Sequence, residues 1–230
     1  MADPVLSIIV PTLNEAGSIS ELLDSLASDR AVGAEVIVVD GGSTDNTAAL
    51  ASEGADCVLR VPRGRANQLI AGADRARGEI LWFLHADSQI PPGSGRAICA
   101  AVGRRSHVWG YFPARLKSHK AAIAVVSWTL AWRVRLTRLP TGDHGVFVTR
   151  SLYREIGGMP ALSLMEDVVL GKRLRRHSNP IRMPLELETS ARRWEQAGVV
   201  STVLRMWALR LLYFLGVQPH RLARFYPPQT

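Results

Sequence analysis

Cysteine is scarce in these 230 residues. Cys57 and Cys99 are too few for a disulfide framework and lack metal-ligand spacing. They read as small core residues in a reducing cytosol. The start, "MADPVLSIIVPTLNE", has no basic segment and only about six consecutive apolar residues, so it is not expected to act as a signal peptide. The expected location is cytoplasmic. Long hydrophobic runs are also missing. The nearest, Val199 to Val217, is interrupted by Arg205 and Arg210 and falls short of the roughly 18 uncharged apolar residues of a spanning helix. The chain carries no internal repeat, no low-complexity tract, no GxGxxG and no GxxxxGK[ST], so neither a dinucleotide nor a P-loop fingerprint is present. Its arginines sit with acids at loop tips and no nucleic-acid motif accompanies them, so nucleic acid is not an expected partner.

What is present is a chain 47% hydrophobic, enough for one sizeable core, with a net charge of +8 and a pI near 10.3. Such a surface attracts anions. "VLSIIVP" reads as a buried strand that Pro11 stops. Ile19, Leu22, Leu23 and Leu26 then recur at helical spacing. "EVIVVDGGSTDNTAAL" repeats the pattern, with Ser43 or Thr44 expected to cap the helix. "DCVLRVP", "RANQLIAGADRA" and "EILWFL" continue it. Alternation of this kind predicts an α/β fold with a mainly parallel sheet and helices on both faces. After Pro92 the rhythm changes. "HVWGYFPARL" and "GVFVTR" read as strands, "AAIAVVSWTLAWRVRL" and "LMEDVVLGKRLRR" as helices, "IRMPLELETS" as an edge strand, and a further helix closes the chain. One domain is expected over 1–230, with halves at about 1–92 and 93–230.

Ligands in such sheets bind beyond the carboxyl ends of the strands, and the polar residues gather there. Asp40, followed by Gly41, Gly42 and Ser43, stands where a ribose or base is held, or serves as a turn aspartate. Thr12, Asn14 and Glu15 share the first loop, as nucleoside readers or helix caps. Arg63, Gly64 and Arg65, with Asn67 just beyond, open a helix whose free N–H groups suit a phosphate; a solvated basic turn is the plainer account. His85 and Asp87 follow the fourth strand at i and i+2. One aspartate with a diphosphate can hold Mg²⁺ or Mn²⁺, which would stabilise a leaving diphosphate. Glu166 and Asp167 open a helix, either as a general base aimed at the crevice or as dipole partners. Arg192, Arg193 and Trp194 offer guanidiniums for phosphate and a ring for a sugar, or are surface arginines around a core tryptophan.

Taken in order, "SIIVPTLNEAGSISELLDSL", "EVIVVDGGSTDNTAAL", "PRGRANQLIAGADRARGEILWFLHAD", "LMEDVVLGKRLRR" and "SARRWE" resemble the inverting family-2 glycosyltransferases of the GT-A fold over nearly the whole chain. The resemblance implies that Pro11, Glu15 and Asp40 bind the nucleoside of a UDP-sugar of GlcNAc or glucose type. It makes Asp87 the metal aspartate of a DXD-like signature, Asp167 the base of an ED motif, and Arg193 and Trp194 the end of a QxxRW-like motif. Two positions depart from the pattern. His85 replaces the first Asp of DXD, and Ser190 replaces Gln, which speaks against processive polymerisation. "FLHADS", "TGDHGVF" and "TSARRWE" are closest to a small branch with selenosugar synthases, which implies a small anionic acceptor, selenophosphate; a hydroxyl on a lipid-linked or other glycan, or nucleotide-sugar binding without catalysis, are the alternatives. Gly142, Asp143 and His144 would form the acceptor wall. The apolar segments Ala121 to Trp132 and Val199 to Val217 are read as core or as a homodimer face in preference to a membrane contact.

Overall fold

A computed structural model describes residues 4–31, 33–118, 120–191, 194–195 and 198–225. The first half is the expected alternation: β1 (Leu6–Thr12), α1 (Ile19–Ser25), the short α2 (Ala27–Ala31), β2 (Glu35–Asp40), α3 (Thr47–Gly54), β3 (Cys57–Arg60), α4 (Arg65–Arg75) and β4 (Ile80–Phe83). Apolar runs, bounded in β2 by the buried Glu35 and Asp40, make β1, β2 and β4 strands buried on both faces. The four pair in parallel in the order β3-β2-β1-β4, with Thr12 opposite Asp40 and Ile9 opposite Phe83.

The second half interleaves β5 (Ser88–Gln89), α5 (Ser94–Val102), β6 (Trp109–Tyr111), β7 (Ala114–Lys117), α6 (Ala121–Thr137), a 3₁₀ turn (Gly142–His144), β8 (Phe147–Thr149), α7 (Arg150–Glu155), α8 (Glu166–His177), β9 (Ile181–Arg182), β10 (Leu187–Ser190), α9 (Val199–Phe214) and α10 (Pro219–Ala223). β8 enters antiparallel beside β4, and β6 and β9 extend the main sheet to seven strands. β5, β10 and β7 form a second sheet of three strands.

Three expectations are corrected here. "HVWGYFPARL" is two strands in different sheets, because Pro113 has no N–H to continue the ladder. "IRMPLELETS" likewise divides at Pro184, and its second part is the central strand of the small sheet instead of an edge. The third helix starts at Thr47, so Ser43 and Thr44 do not cap it. The Asp45 carboxylate accepts the Thr47 N–H at 3.0 Å instead.

The core lies in two layers on either side of the main sheet, one around Ile8, Val38 and Trp82, the other around Ile9, Val39 and Leu81. Consecutive residues of β1 and β2 serve opposite layers, as the period of a strand requires. A third, smaller cluster joins Leu116, Ile123, Val126 and Trp194 under α6 and α9. Val134 of α6 joins the main core and Leu209 of α9 is buried, but the outer sides of both helices are not core: Val125, Trp128, Trp132, Leu204, Trp207 and Leu211 are exposed.

Candidate active site

The carboxyl ends of β1 and β2 open into two loops that hydrogen-bond as one unit. Asn14 adopts a left-handed backbone (φ 54°), which asparagine tolerates better than most residues. Its N–H then donates to Ser43 Oγ at 2.9 Å, and its Oδ1 accepts the Thr44 N–H at 2.9 Å. Asp40 is 1% exposed. Its carboxylate accepts the N–H of Gly42 at 3.1 Å and of Ser43 at 3.0 Å, and also the Ser43 hydroxyl. It therefore shapes the loop that its neighbours present. Glu15 N–H ties the β1 loop to α3 by donating to Thr47 Oγ1 at 2.8 Å, while its carboxylate acts locally, accepting the Ser18 hydroxyl at 2.8 Å. Beneath both loops, Gln68 of α4 donates from Nε2 to the carbonyls of Thr12 (2.7 Å) and Val39 (2.8 Å), fixing the two strand ends together.

A second group converges across the same edge, on the 3₁₀ turn. Gly142 N–H donates to Asp167 Oδ2 at 3.0 Å. Asp167 and Glu166 stand in the first turn of α8, where the helix dipole favours carboxylates. Arg65 Nε lies 3.3 Å from Glu166 Oε1, and Arg65 Nη2 donates to His85 Nε2 at 2.5 Å. Asp143 Oδ1 is 3.3 Å from the same nitrogen. A Cβ at Gly142 would overlap the Arg65 guanidinium and stand 2.8 Å from His85 Nε2, so the arginine would have to move aside. Arg65, Phe83, Leu84, Gly142, Val146 and Asp167 line a shallow crevice open to solvent.

Burial raises the Glu166 carboxyl above its ordinary range, with Asp167 adding to the shift and Arg65 opposing it. Arg133, on α6, donates to Leu139 O at 3.2 Å and lies near Thr141 Oγ1 at 3.4 Å. Burial and the nearby Arg210 lower its pKa to about 10, against the pull of Asp167 and Asp143, so it stays charged at neutral pH. Its Nε has no hydrogen-bond partner among the described residues.

The residues expected from sequence fall into three groups. Pro11, Thr12 and Asp40 at the ends of β1 and β2 (β1 runs one residue past Pro11, which was expected to stop it), with Asn14, Glu15, Gly41 and Ser43 in the loops that follow, make the first group, and Arg65, His85, Gly142, Asp143, Glu166 and Asp167 share the second. Arg63 and Asn67 are exposed at the start of α4, and Gly64 between them takes φ 142°. Arg65 itself turns inward to Glu166 and His85, because the buried carboxylate needs a cation. Two residues are corrected. Trp194 does not offer its ring to a sugar; it is 7% exposed among Leu116, Ile123, Val126 and Ala191. His144 is buried and edge-on to Tyr111 at 6.1 Å instead of walling the crevice. Arg193 lies outside the described residues.

Asp87 sits in the turn after β4, where Ser88 N–H donates to His85 O at 3.2 Å. Among the described residues no three His, Cys, Asp or Glu side chains gather into a cage for a metal ion. A single carboxylate at the sheet edge suits an ion whose remaining ligands are water and substrate phosphate. Sequence reasoning missed Gln68 and Arg133. Gln68 had a signal: a polar residue on the face of α4 that Leu69 and Ala73 bury. Arg133 had none, since its role depends on the 3₁₀ turn folding back to it.

Residues 7–143 match the family model described as glycosyl transferase family 2. An undecaprenyl-phosphate 4-deoxy-4-formamido-L-arabinose transferase of Pseudomonas paraeruginosa is 30% identical over 135 residues, 49% of this chain; the match spans 40% of that relative's length. S. aureus TarS 1-349 in complex with UDP-GlcNAc aligns with a TM-score of 0.65 at 19% identity, over 80% of this chain and 58% of that one. The mannosyltransferase PcManGT of Pyrobaculum calidifontis, in complex with GDP-Man and Mn²⁺, aligns with a TM-score of 0.64 at 21% identity, over 100% of this chain and 66% of that one. The architecture is the GT-A fold. Since the family model covers more than half of its residues, the chain belongs to glycosyl transferase family 2.

Proposed function

We propose that the chain is a cytoplasmic glycosyltransferase that moves a sugar from a UDP-sugar to an acceptor, with inversion at the anomeric carbon and Asp167 as general base. One observation carries the reading: the Asp167 carboxylate is held by Gly142 N–H at the rim of a crevice on the carboxyl edge of the sheet. The β1 and β2 loops, joined through Asn14, Ser43 and Asp40, offer the nucleoside a preformed cradle. In the reaction Asp167 takes the acceptor proton while the acceptor oxygen bonds to the anomeric carbon. The bond to UDP breaks and its electron pair leaves with the diphosphate. Asp87 would hold a divalent cation, Mg²⁺ or Mn²⁺, whose charge would stabilise the departing diphosphate. The Mn²⁺ and sugar nucleotides named for the structural neighbours support the donor and the metal.

The acceptor favoured by this arrangement is a hydroxyl group on a lipid-linked or other glycan. Asp167 is bound to the Gly142 N–H and Asp143 is the next residue of that turn, and two carboxylates so placed would repel a small dianion. The polyprenyl-phosphate relative supports a lipid-linked acceptor, and does not bear on whether the attacking group is a hydroxyl. Selenophosphate remains a second reading: Arg133 and Arg210 lie close enough to interact, and Arg133 also feels Asp167. Mass spectrometry of products from UDP-GlcNAc and UDP-glucose, offered with polyprenyl phosphate, simple sugars and selenophosphate, tests both. With a hydroxyl acceptor, Asp167→Asn should lower kcat about 100-fold or more. An unimpaired Asp167→Asn variant overturns the assignment of the base. A selenosugar as the sole product overturns the hydroxyl acceptor.

A further inference from the structure

The outer faces of α6 and α9 carry more apolar surface than any other part of the described molecule. Val200, Leu204, Trp207, Leu211 and Phe214 recur along α9 at intervals of four and three residues, so they form one stripe. Trp207 is 73% exposed. Val125, Trp128, Trp132 and Leu136 make a second stripe on α6, with Trp128 63% exposed. The inner sides of both helices meet in a single cluster, where Ile123, Val126 and Leu130 pack with Val199, Val203 and Met206. The two stripes therefore flank one small core and turn outward from it. Patches of this kind mark interaction sites.

The charge pattern identifies what covers them. No aspartate or glutamate occurs between Asp87 and Asp143, and none follows Glu195. Those two acid-free stretches hold thirteen of the 28 lysines and arginines. Lys120, Arg135 and Arg138 are exposed on or beside α6, and Arg205, Arg221 and Arg224 on or beside α9. Arg135 lies over the Trp132 ring at 5.7 Å, a cation and an aromatic side by side at the surface. A second copy of the chain meets this face poorly. An isologous dimer would set cations against cations, with no acid on either helix to answer them. No helix among the described residues is long and apolar enough to cross a membrane. Two apolar stripes fringed by arginines have the composition of helices that lie in an interface.

We propose that α6 and α9 together form a docking face that lies on an anionic lipid surface, their aromatic and leucine side chains entering the headgroup boundary and their arginines pairing with lipid phosphates. The proposal stands apart from the choice of acceptor, since it concerns where the chain rests and not what it glycosylates.

The test is flotation of the purified full chain with vesicles of phosphatidylcholine alone, or of phosphatidylcholine with phosphatidylglycerol, followed also by tryptophan emission. The chain should float with the anionic vesicles, with a blue shift, and far less with the neutral ones. Trp207→Ser with Leu211→Ser should weaken partition about a hundredfold, from about tenfold for each large side chain kept out of the bilayer. Circular dichroism controls for folding. Leu204→Ser with Phe214→Ser, on the same stripe, serves if the first pair fails to fold. A chain that stays in solution with both vesicles overturns the proposal. So do variants that float as well as the parent, and a dimer that sediments intact, needs these side chains and ignores vesicles.

Discussion

His144 shows how burial alone makes a side chain sensitive to pH. Its ring is buried, Nδ1 is 3.3 Å from Thr141 Oγ1, and Nε2 has no partner among the described residues. Burial, the largest cause, pushes its pKa down to about 4 from 6.5, although Asp143 beside it pulls the other way. Because the folded pKa lies below the unfolded one, the unfolded chain binds more protons between those values. Stability is therefore whole above about pH 6.5 and falls as the pH drops towards 4, by on the order of 3 kcal/mol. The urea midpoint should decline through that window, and His144→Phe, which cannot titrate, should flatten the decline. An identical slope in both proteins would refute this account. "TGDH" gave no sign of the inward ring, since a histidine in a turn is equally at home in solvent.

At the scale of elements, α4 does most to position the site. Arg65 at its start reaches Glu166 and His85, while Gln68, one turn on, ties β1 to β2. The phosphate site expected from "PRGRANQ" assumed that both arginines face the ligand. Arg63 stays in solvent, whereas the buried Glu166 at the head of α8 draws Arg65 to the crevice. Gln68→Leu removes both bonds to strand-end carbonyls. The Thr12 carbonyl keeps its bond from Gly41 N–H at 2.9 Å, so the expected cost is modest, about 1–2 kcal/mol. The loops it supports should loosen, so KM for the sugar nucleotide should rise more than kcat falls. Thermal unfolding and steady-state kinetics check the two halves of this prediction. A fall in kcat with unchanged KM would mean that Gln68 does not serve the donor loops.

Across the whole molecule, charge and apolar surface are divided unevenly. The acids accompany the sheet edge and the first half, whereas the acid-free stretches build the helices that stand outermost. Reversing Arg205 and Arg224 to glutamate should weaken binding to anionic vesicles by about fivefold for each charge removed, and reversal should do more. Raising the salt should reproduce the loss in the parent chain. An indifferent response to both changes would leave the apolar contact without its electrostatic part. The expectation that these helices are core or a homodimer face holds for one side of each as core: α6 and α9 are apolar nearly all round, and their shared cluster uses only that side.

The order of strands and helices in the first half was legible because β-branched runs and helical spacing are local properties, and parallel pairing follows from the alternation. The positions of Asp40, His85 and Asp87 were legible for the same reason: a strand's end marks the sheet edge. The partners were not. That Arg65 meets Glu166, that Gly142 holds Asp167, that Trp194 is core and that α9 lies beside α6 depend on contacts between residues distant in sequence. Their formation is decided by which groups burial forces together, and only the folded chain makes that choice.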